Sequence, residues 1–313
     1  MNRRLTVLLA AGALAPALAA PVASAKTNVA VGIGDQNAAM FADANFKALK
    51  IKKVRYFIPW NAARNAAELN KADAYVAAAR KAKARVFFHI STDDFTPKKA
   101  KLPSTSQYKR EVGKLIKRYR AKGVKEWGVW NEANHKSQPT WDNPSRAAGF
   151  YRQMRTMCKG CTILALDVLD QAGDSRYISR WFAALPRSIR TSSSLRVGIH
   201  NYSDTNRKRS TGTSRIIKAV KQRNRRASFW LTETGGVANF GRAFPCDLKR
   251  QANRTAYMFT LAKKHRRDVD RLYAYSWSGG DCSSVFDAGL TDQNGKVRPA
   301  YSTFKSKAAS FAR

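Results

Sequence analysis

The chain has 313 residues, 44% of them apolar, and 58 lysines and arginines against 21 acids give a formal charge of +37. That is enough apolar material for a full core; it is long for one sandwich and ordinary for one α/β barrel of about 250 residues. The basic excess suggests a polyanion partner or a heavily solvated surface, and beyond the N-terminus no stretch is apolar enough to span a bilayer.

The N-terminus reads as a leader. Arg3 and Arg4 precede the uncharged apolar run Leu5 to Ala20, and Ala23-Ser24-Ala25 is a small-residue cleavage site. This pattern predicts a secretory signal over 1–25, with 26–313 as one domain outside the cell or at its wall.

From there short β-like runs alternate with amphipathic stretches. The runs are VAVGIG around 30–34, VRYFIPW (54–60), RVFFHI (85–90), EWGVW (126–130), TILALDVL (162–169), LRVGIHNY (195–202), SFWLTE (228–233) and LYAYSW (272–277). Helical patterns cover Ala62 to Lys81, Ser106 to Lys122, Arg146 to Met157, Lys249 to His265 and Pro299 to Phe311. Alternating strand and helix implies a parallel sheet with right-handed crossovers. Eight such units predict a single (β/α)8 barrel, with an open doubly wound sheet as the alternative.

This register gives the basic clusters an address. Lys50 to Lys53, Lys81 to Arg85, Lys117 to Lys125, Lys221 to Arg226 and Lys263 to Arg267 all precede strands. They are expected at the bottom of the barrel, away from the top face where barrel chemistry sits. The top loops mix Arg207, Lys208 and Arg209 with several aspartates.

Two carboxylates fall at the C-terminal ends of strands. Asn131-Glu132 follows the fourth run, and Glu233 closes the seventh in Thr232-Glu233-Thr234-Gly235. Two such groups flanking one bond are what glycoside hydrolysis requires. Alternation would turn Asn131 away from Glu132, so a bulge or strand end is expected there.

At these residues the chain resembles the superfamily of retaining glycosidases whose acid/base ends strand 4 and whose nucleophile ends strand 7 of a (β/α)8 barrel. Asn131-Glu132 is similar to that group's Asn-Glu pair, and Glu233 to its nucleophile. His200 and Tyr202 end strand 6, where the group often has His and Tyr. Arg55 matches an arginine that pairs with the nucleophile, and Trp277 a tryptophan that floors a sugar subsite.

The resemblance implies that Glu132 is the acid/base. Its pKa is expected to be raised by Glu233 and by burial against Trp130. Glu233 would be the nucleophile, kept ionised by Arg55 and Tyr202, and Asn131 would bond the sugar 2-hydroxyl. His89, Trp60 and Trp141 are further substrate-contact candidates. Trp127 and Trp230 are expected between barrel and helices.

Other chemistries find no support. Gly32-Ile33-Gly34 lacks the third glycine of a dinucleotide fingerprint, with Asn37 in its place, and there is no P-loop, Gly-x-Ser-x-Gly elbow or HExxH. The four cysteines allow three pairings. Cys158–Cys161 is favoured as a small structural bond because it closes a helix rather than opening one, and Cys246–Cys282 because both lie in top loops of neighbouring strands.

The expectation is a secreted hydrolase cleaving β-linked oligo- or polysaccharides by double displacement, without metal or organic cofactor. It is expected to be a monomer with no nucleic-acid partner, its basic bottom face available to an anionic cell-wall polymer. The alternative is a catalytically silent barrel that binds carbohydrate or polyanion.

Overall fold

The computed structural model describes residues 27–96 and 99–312. The expected leader over 1–25 lies outside them. Eight parallel strands form a ring: β1 (Thr27–Gly34), β2 (Lys53–Pro59), β3 (Arg85–Ser91), β4 (Glu126–Gly128), β5, β6 (Arg196–His200), β7 (Ser228–Thr234) and β8 (Val269–Tyr275). β5 runs in two stretches, Thr162–Leu164 and Leu166–Leu169. The first pairs with β4 and the second with β6. Between them the Ala165 N–H turns to the Arg196 carbonyl. One strand thus changes neighbour at Ala165 and closes the barrel through its own backbone. A short β9 (Phe311–Ala312) adds to β1, so the last helix, α10 (Pro299–Ala308), stops before the expected Phe311.

The other helices are α1 (Ala44–Ala48), α2 (Ala66–Lys81), α3 (Thr105–Arg120), α4 (Pro144–Met157), α5 (Asp174–Ala183), α6 (Arg187–Arg190), α7 (Tyr202–Asn206), α8 (Thr211–Lys221) and α9 (Leu248–Lys264). The starts of the longest are set by side chains that accept the first free N–H groups. Asn65 caps α2, Ser104 and Gln107 form a capping box on α3, Asn143 caps α4 and Asp247 caps α9. These caps explain why the helices begin a few residues from the hydrophobic periodicity alone.

Alternation along the strands sorts side chains into two layers. Val54, Tyr56 and Ile58 of β2 and Val86, Phe88 and Ile90 of β3 join the large core under the helices. Trp127 belongs there too, edge-on to Phe88. The opposite faces fill the barrel. Near its lower end Phe87, Leu164, Trp230 and Tyr273 form a separate cluster. Arg271 caps it, with its guanidinium 4.0 Å from the Trp230 ring centroid and bonded to Glu126 at 2.5 and 3.0 Å.

Trp230 is therefore inside the barrel, not between barrel and helices. The reason is a register shift: Leu231 pairs with Ile199, but His200 pairs with Glu233. The extra residue, Thr232, resets the alternation, so Trp230 and Glu233 both face inward.

Two interior glycines make room for what lies above. A Cβ on Gly128 would fall 2.2 Å from the His89 ring, and one on Gly198 would fall 1.9 Å from an Asp167 oxygen. The basic clusters sit where the register puts them, at the starts of strands, with Lys52, Lys83, Lys125, Arg225 and Arg266 exposed. Both expected disulfides are present. No helix among the described residues is long and apolar enough to cross a membrane.

Candidate active site

The site rises in tiers from the barrel interior. Asp167, inside β5, is fully buried. Its Oδ2 lies 2.9 Å from His200 Nε2 as an ion pair and accepts the Glu132 N–H at 3.0 Å. Thr232 donates to its other oxygen. Arg55, inside β2, is also fully buried. It donates to Glu233 Oε1 at 2.7 Å, to Asn131 Oδ1 at 2.5 Å and to His89 Nδ1 at 3.2 Å.

Regular pairing of β4 ends at Gly128. The Asn131 N–H still reaches the Ile90 carbonyl, and Glu132 then turns with φ of 44°. A left-handed glutamate is costly without local support. Here Asp167 supplies it by holding the Glu132 N–H, while the next N–H, of Ala133, bonds the Asp167 carbonyl. The expected break in alternation is thus a left-handed turn that lets Asn131 and Glu132 both line the cleft. Because Asn131 Oδ1 is taken by Arg55, its amide NH2 is the end left for a ligand.

Glu233 is fixed by two donors, with Tyr202 Oη giving a bond of 3.2 Å to Oε2 beside the Arg55 contact. His200 Nδ1 sits between the carboxylates, 2.9 Å from Glu132 Oε1 and 3.5 Å from Glu233 Oε2. One donor oxygen from each glutamate and the His200 nitrogen all lie within 4.8 Å of one another. That spacing would suit a metal ion, but Arg55 and a protonated His200 already supply positive charge at both carboxylates.

The electrostatics follow from these contacts. Burial opposes a charged His200, yet the Asp167 and Glu233 charges outweigh it and push its pKa up to about 10. Burial would raise Glu132, but the hydrogen bond and charge of His200 hold it below the ordinary carboxylate value. The expected upward shift of Glu132 is therefore corrected. The His200 imidazolium outweighs burial, and Trp130 lies elsewhere, stacked on Phe150. Burial against helpful and opposing charges leaves His89 at about 3, a neutral acceptor for Arg55.

The cleft above has a volume of about 640 Å³. Asn131, Glu132, Tyr202 and Glu233 line it, with Arg55 and His200 directly behind the glutamates. Trp141 lines a neighbouring hollow, and three further expected contacts lie away from both. His89 is fully buried behind Arg55. Trp60 follows the outward parity of Tyr56 and Ile58 into the helix-facing core. Trp277 packs edge-on to Phe46 and Tyr301, because the chain leaves β8 after Tyr275 and turns toward the 290s, where the Thr291 N–H bonds the Trp277 carbonyl. Tyr275 lines the cleft instead, with Phe57, Phe95, Phe240, Phe244 and Phe286.

Comparison with known protein families and with curated sequences gives no match. Solved structures do match. Xylanase B from Clostridium stercorarium F9 is 13% identical with a TM-score of 0.60, over 88% of this chain and 96% of that one. A structure of fungal β-1,4-galactanases gives 13% identity and a TM-score of 0.65, over 88% and 98%. The catalytic core of a xylanase A gives 13% and 0.63, over 90% and 98%. The chain has the (β/α)8 barrel fold of these structures.

Proposed function

We propose that the protein is a secreted retaining glycoside hydrolase acting on β-linked oligo- or polysaccharides. The observation that carries this reading is the approach of Glu132 and Glu233 oxygens to within 4.8 Å. Retention needs carboxyl groups about 5 to 5.5 Å apart, whereas inversion leaves roughly 6.5 to 9.5 Å for a water. The names of the similar folds, xylanases and β-1,4-galactanases, support a β-linked glycan.

In the first step Glu233 attacks the anomeric carbon, the glycosidic bond breaks, and the leaving oxygen takes a proton through Glu132. The proton comes from the Glu132–His200 pair, which shares one across the 2.9 Å contact. In the second step water attacks the glycosyl ester, its proton returns to the pair through Glu132, and Glu233 leaves as carboxylate. Asn131 is aimed at the sugar hydroxyl beside the reacting carbon. The exposed lysines and arginines at the lower face would hold the protein to an anionic wall polymer, which salt-dependent binding tests.

The deciding experiment is sugar release from a panel of neutral and acidic β-glycans by wild type and Glu233→Gln, with the first anomer formed read by proton NMR. Release by wild type with retained configuration, lost in the variant, is expected. Inversion, or equal release by both proteins, overturns the mechanism. Binding without release identifies a silent carbohydrate-binding barrel. The leader is tested by N-terminal sequencing of the exported protein, expected to begin at Lys26.

A further inference from the structure

Beside the catalytic cleft lies a second hollow of about 430 Å³, within the range of ligand pockets. Asn134, His135, Trp141, Gln171, Gly173 and Tyr177 line it. His135 and Gln171 also line the catalytic cleft, so the two spaces share a wall. His135 Nδ1 is 3.8 Å from Glu132 Oε2, which places the shared wall on the acid/base side.

Trp141 distinguishes this hollow. Its side chain is 45% exposed, while each of the other six tryptophans is no more than 5% exposed or fully buried in the core. The segment that carries the indole is not loose. The backbone N–H of Trp141 bonds the Gln138 carbonyl, and the Gln138 side chain in turn accepts from Trp130 Nε1 at 3.1 Å. The neighbouring Thr140 donates to the Ala133 carbonyl at 2.9 Å, and its carbonyl accepts from Tyr177 Oη at 3.1 Å. The opposite side is fixed by Gln171, which donates to the Asn134 carbonyl at 2.6 Å. An aromatic face left open to water contributes little to the core, and because the turn beneath it is already fixed, binding a ligand there orders little backbone.

We propose that this hollow binds a sugar ring of the leaving group, stacked on Trp141. The inference rests on the glycosidase reading, because the acid protonates the leaving oxygen and the leaving group must lie on the Glu132 side. An indole presents a flat apolar surface that suits the C–H face of a pyranose. The preferred substrate is then an oligosaccharide extending past the scissile bond, not a glycoside with a small leaving group.

The test compares the 4-nitrophenyl β-glycoside and the unsubstituted β-linked oligosaccharide of the sugar that the panel identifies. In Trp141→Ala, KM for the oligosaccharide is expected to rise about tenfold, which corresponds to about 1.4 kcal/mol of binding. The ratio of kcat/KM between oligosaccharide and nitrophenyl glycoside should fall by a similar factor, and Trp141→Phe should recover most of it. Equal losses on both substrates, or none on the oligosaccharide, overturn the subsite while leaving the glycosidase reading intact. Wild type that turns over neither substrate overturns that reading and the subsite with it.

Discussion

The floor and the walls of the cleft are made differently. The floor comes from strand interiors and strand ends: Arg55, Asp167, His200, Glu132 and Glu233, each tied to at least two partners and closed in by the barrel. The walls come from loops. They carry Phe95, Phe240, Phe244 and Phe286 and the guanidinium of Arg207, which lies 5.0 Å from the Phe244 ring centroid and donates to Ser203 at 3.3 Å. Phe95 and Phe240 remain about half exposed. A polar floor of this kind is pre-organised for charge development, whereas an apolar wall can only set fit. Floor changes should therefore act on kcat and stability, and wall changes on KM.

The largest effect is expected at Arg55. Replacing it with Met removes the cation bonded to Glu233 and leaves Asn131 Oδ1 and His89 Nδ1 without their donor. Breaking a buried ion pair from one side costs about 3 to 5 kcal/mol. Denaturant unfolding should show a loss on that order, and kcat should fall much further than KM moves. A folded Arg55→Met protein with near-normal kcat would break the distinction between floor and walls.

His200→Asn comes next and has a sign. In the wild type His200 is raised from 6.5 to about 10, so its protonation contributes stability that is fully present below about pH 6.5 and lost as pH rises toward 10. In the proposed mechanism the same proton supplies Glu132. Without the imidazolium, the acid is Glu132 alone, a carboxyl with a much lower proton affinity than that histidine. The alkaline limb of kcat/KM should move to lower pH, and stability should vary less between pH 6.5 and 10. General acid catalysis is typically worth about 10²- to 10⁴-fold, which bounds the loss above neutrality. An unmoved alkaline limb would mean that the pair does not share its proton.

The floor was also far more legible in the sequence than the walls. Glu132, Glu233, Arg55, Asn131 and Tyr202 could be read because a barrel strand delivers its last residues to one face. Asp167 was readable and missed: it is the lone charge in the run TILALDVL, and a buried acid there needs a partner. Parity with Arg55 already turns Trp60 outward. Trp277 and Trp230 mislead for another reason, since a turn after Tyr275 and the extra residue at Thr232 reset alternation locally. The wall phenylalanines follow no period, because loop positions are set by contacts distant in sequence, such as Phe240 edge-on to Phe286.

The smallest effect is expected where a covalent bond holds those walls. Cys246 and Cys282 join the loops after β7 and β8 across 36 residues. Phe240 and Phe244 precede the first cysteine, Phe286 follows the second, and all three line the cleft. The barrel strands beneath are paired independently of this bond. The double variant Cys246→Ser/Cys282→Ser should let the two loops separate while Arg55, Tyr202 and Glu233 keep their contacts. KM should rise several-fold with kcat within about a factor of two, whereas replacing Cys158 and Cys161, which lie at the end of α4 away from the cleft, should change neither. If the loop variant lost kcat and kept its KM, the walls would be shaping the reacting groups and not merely the fit.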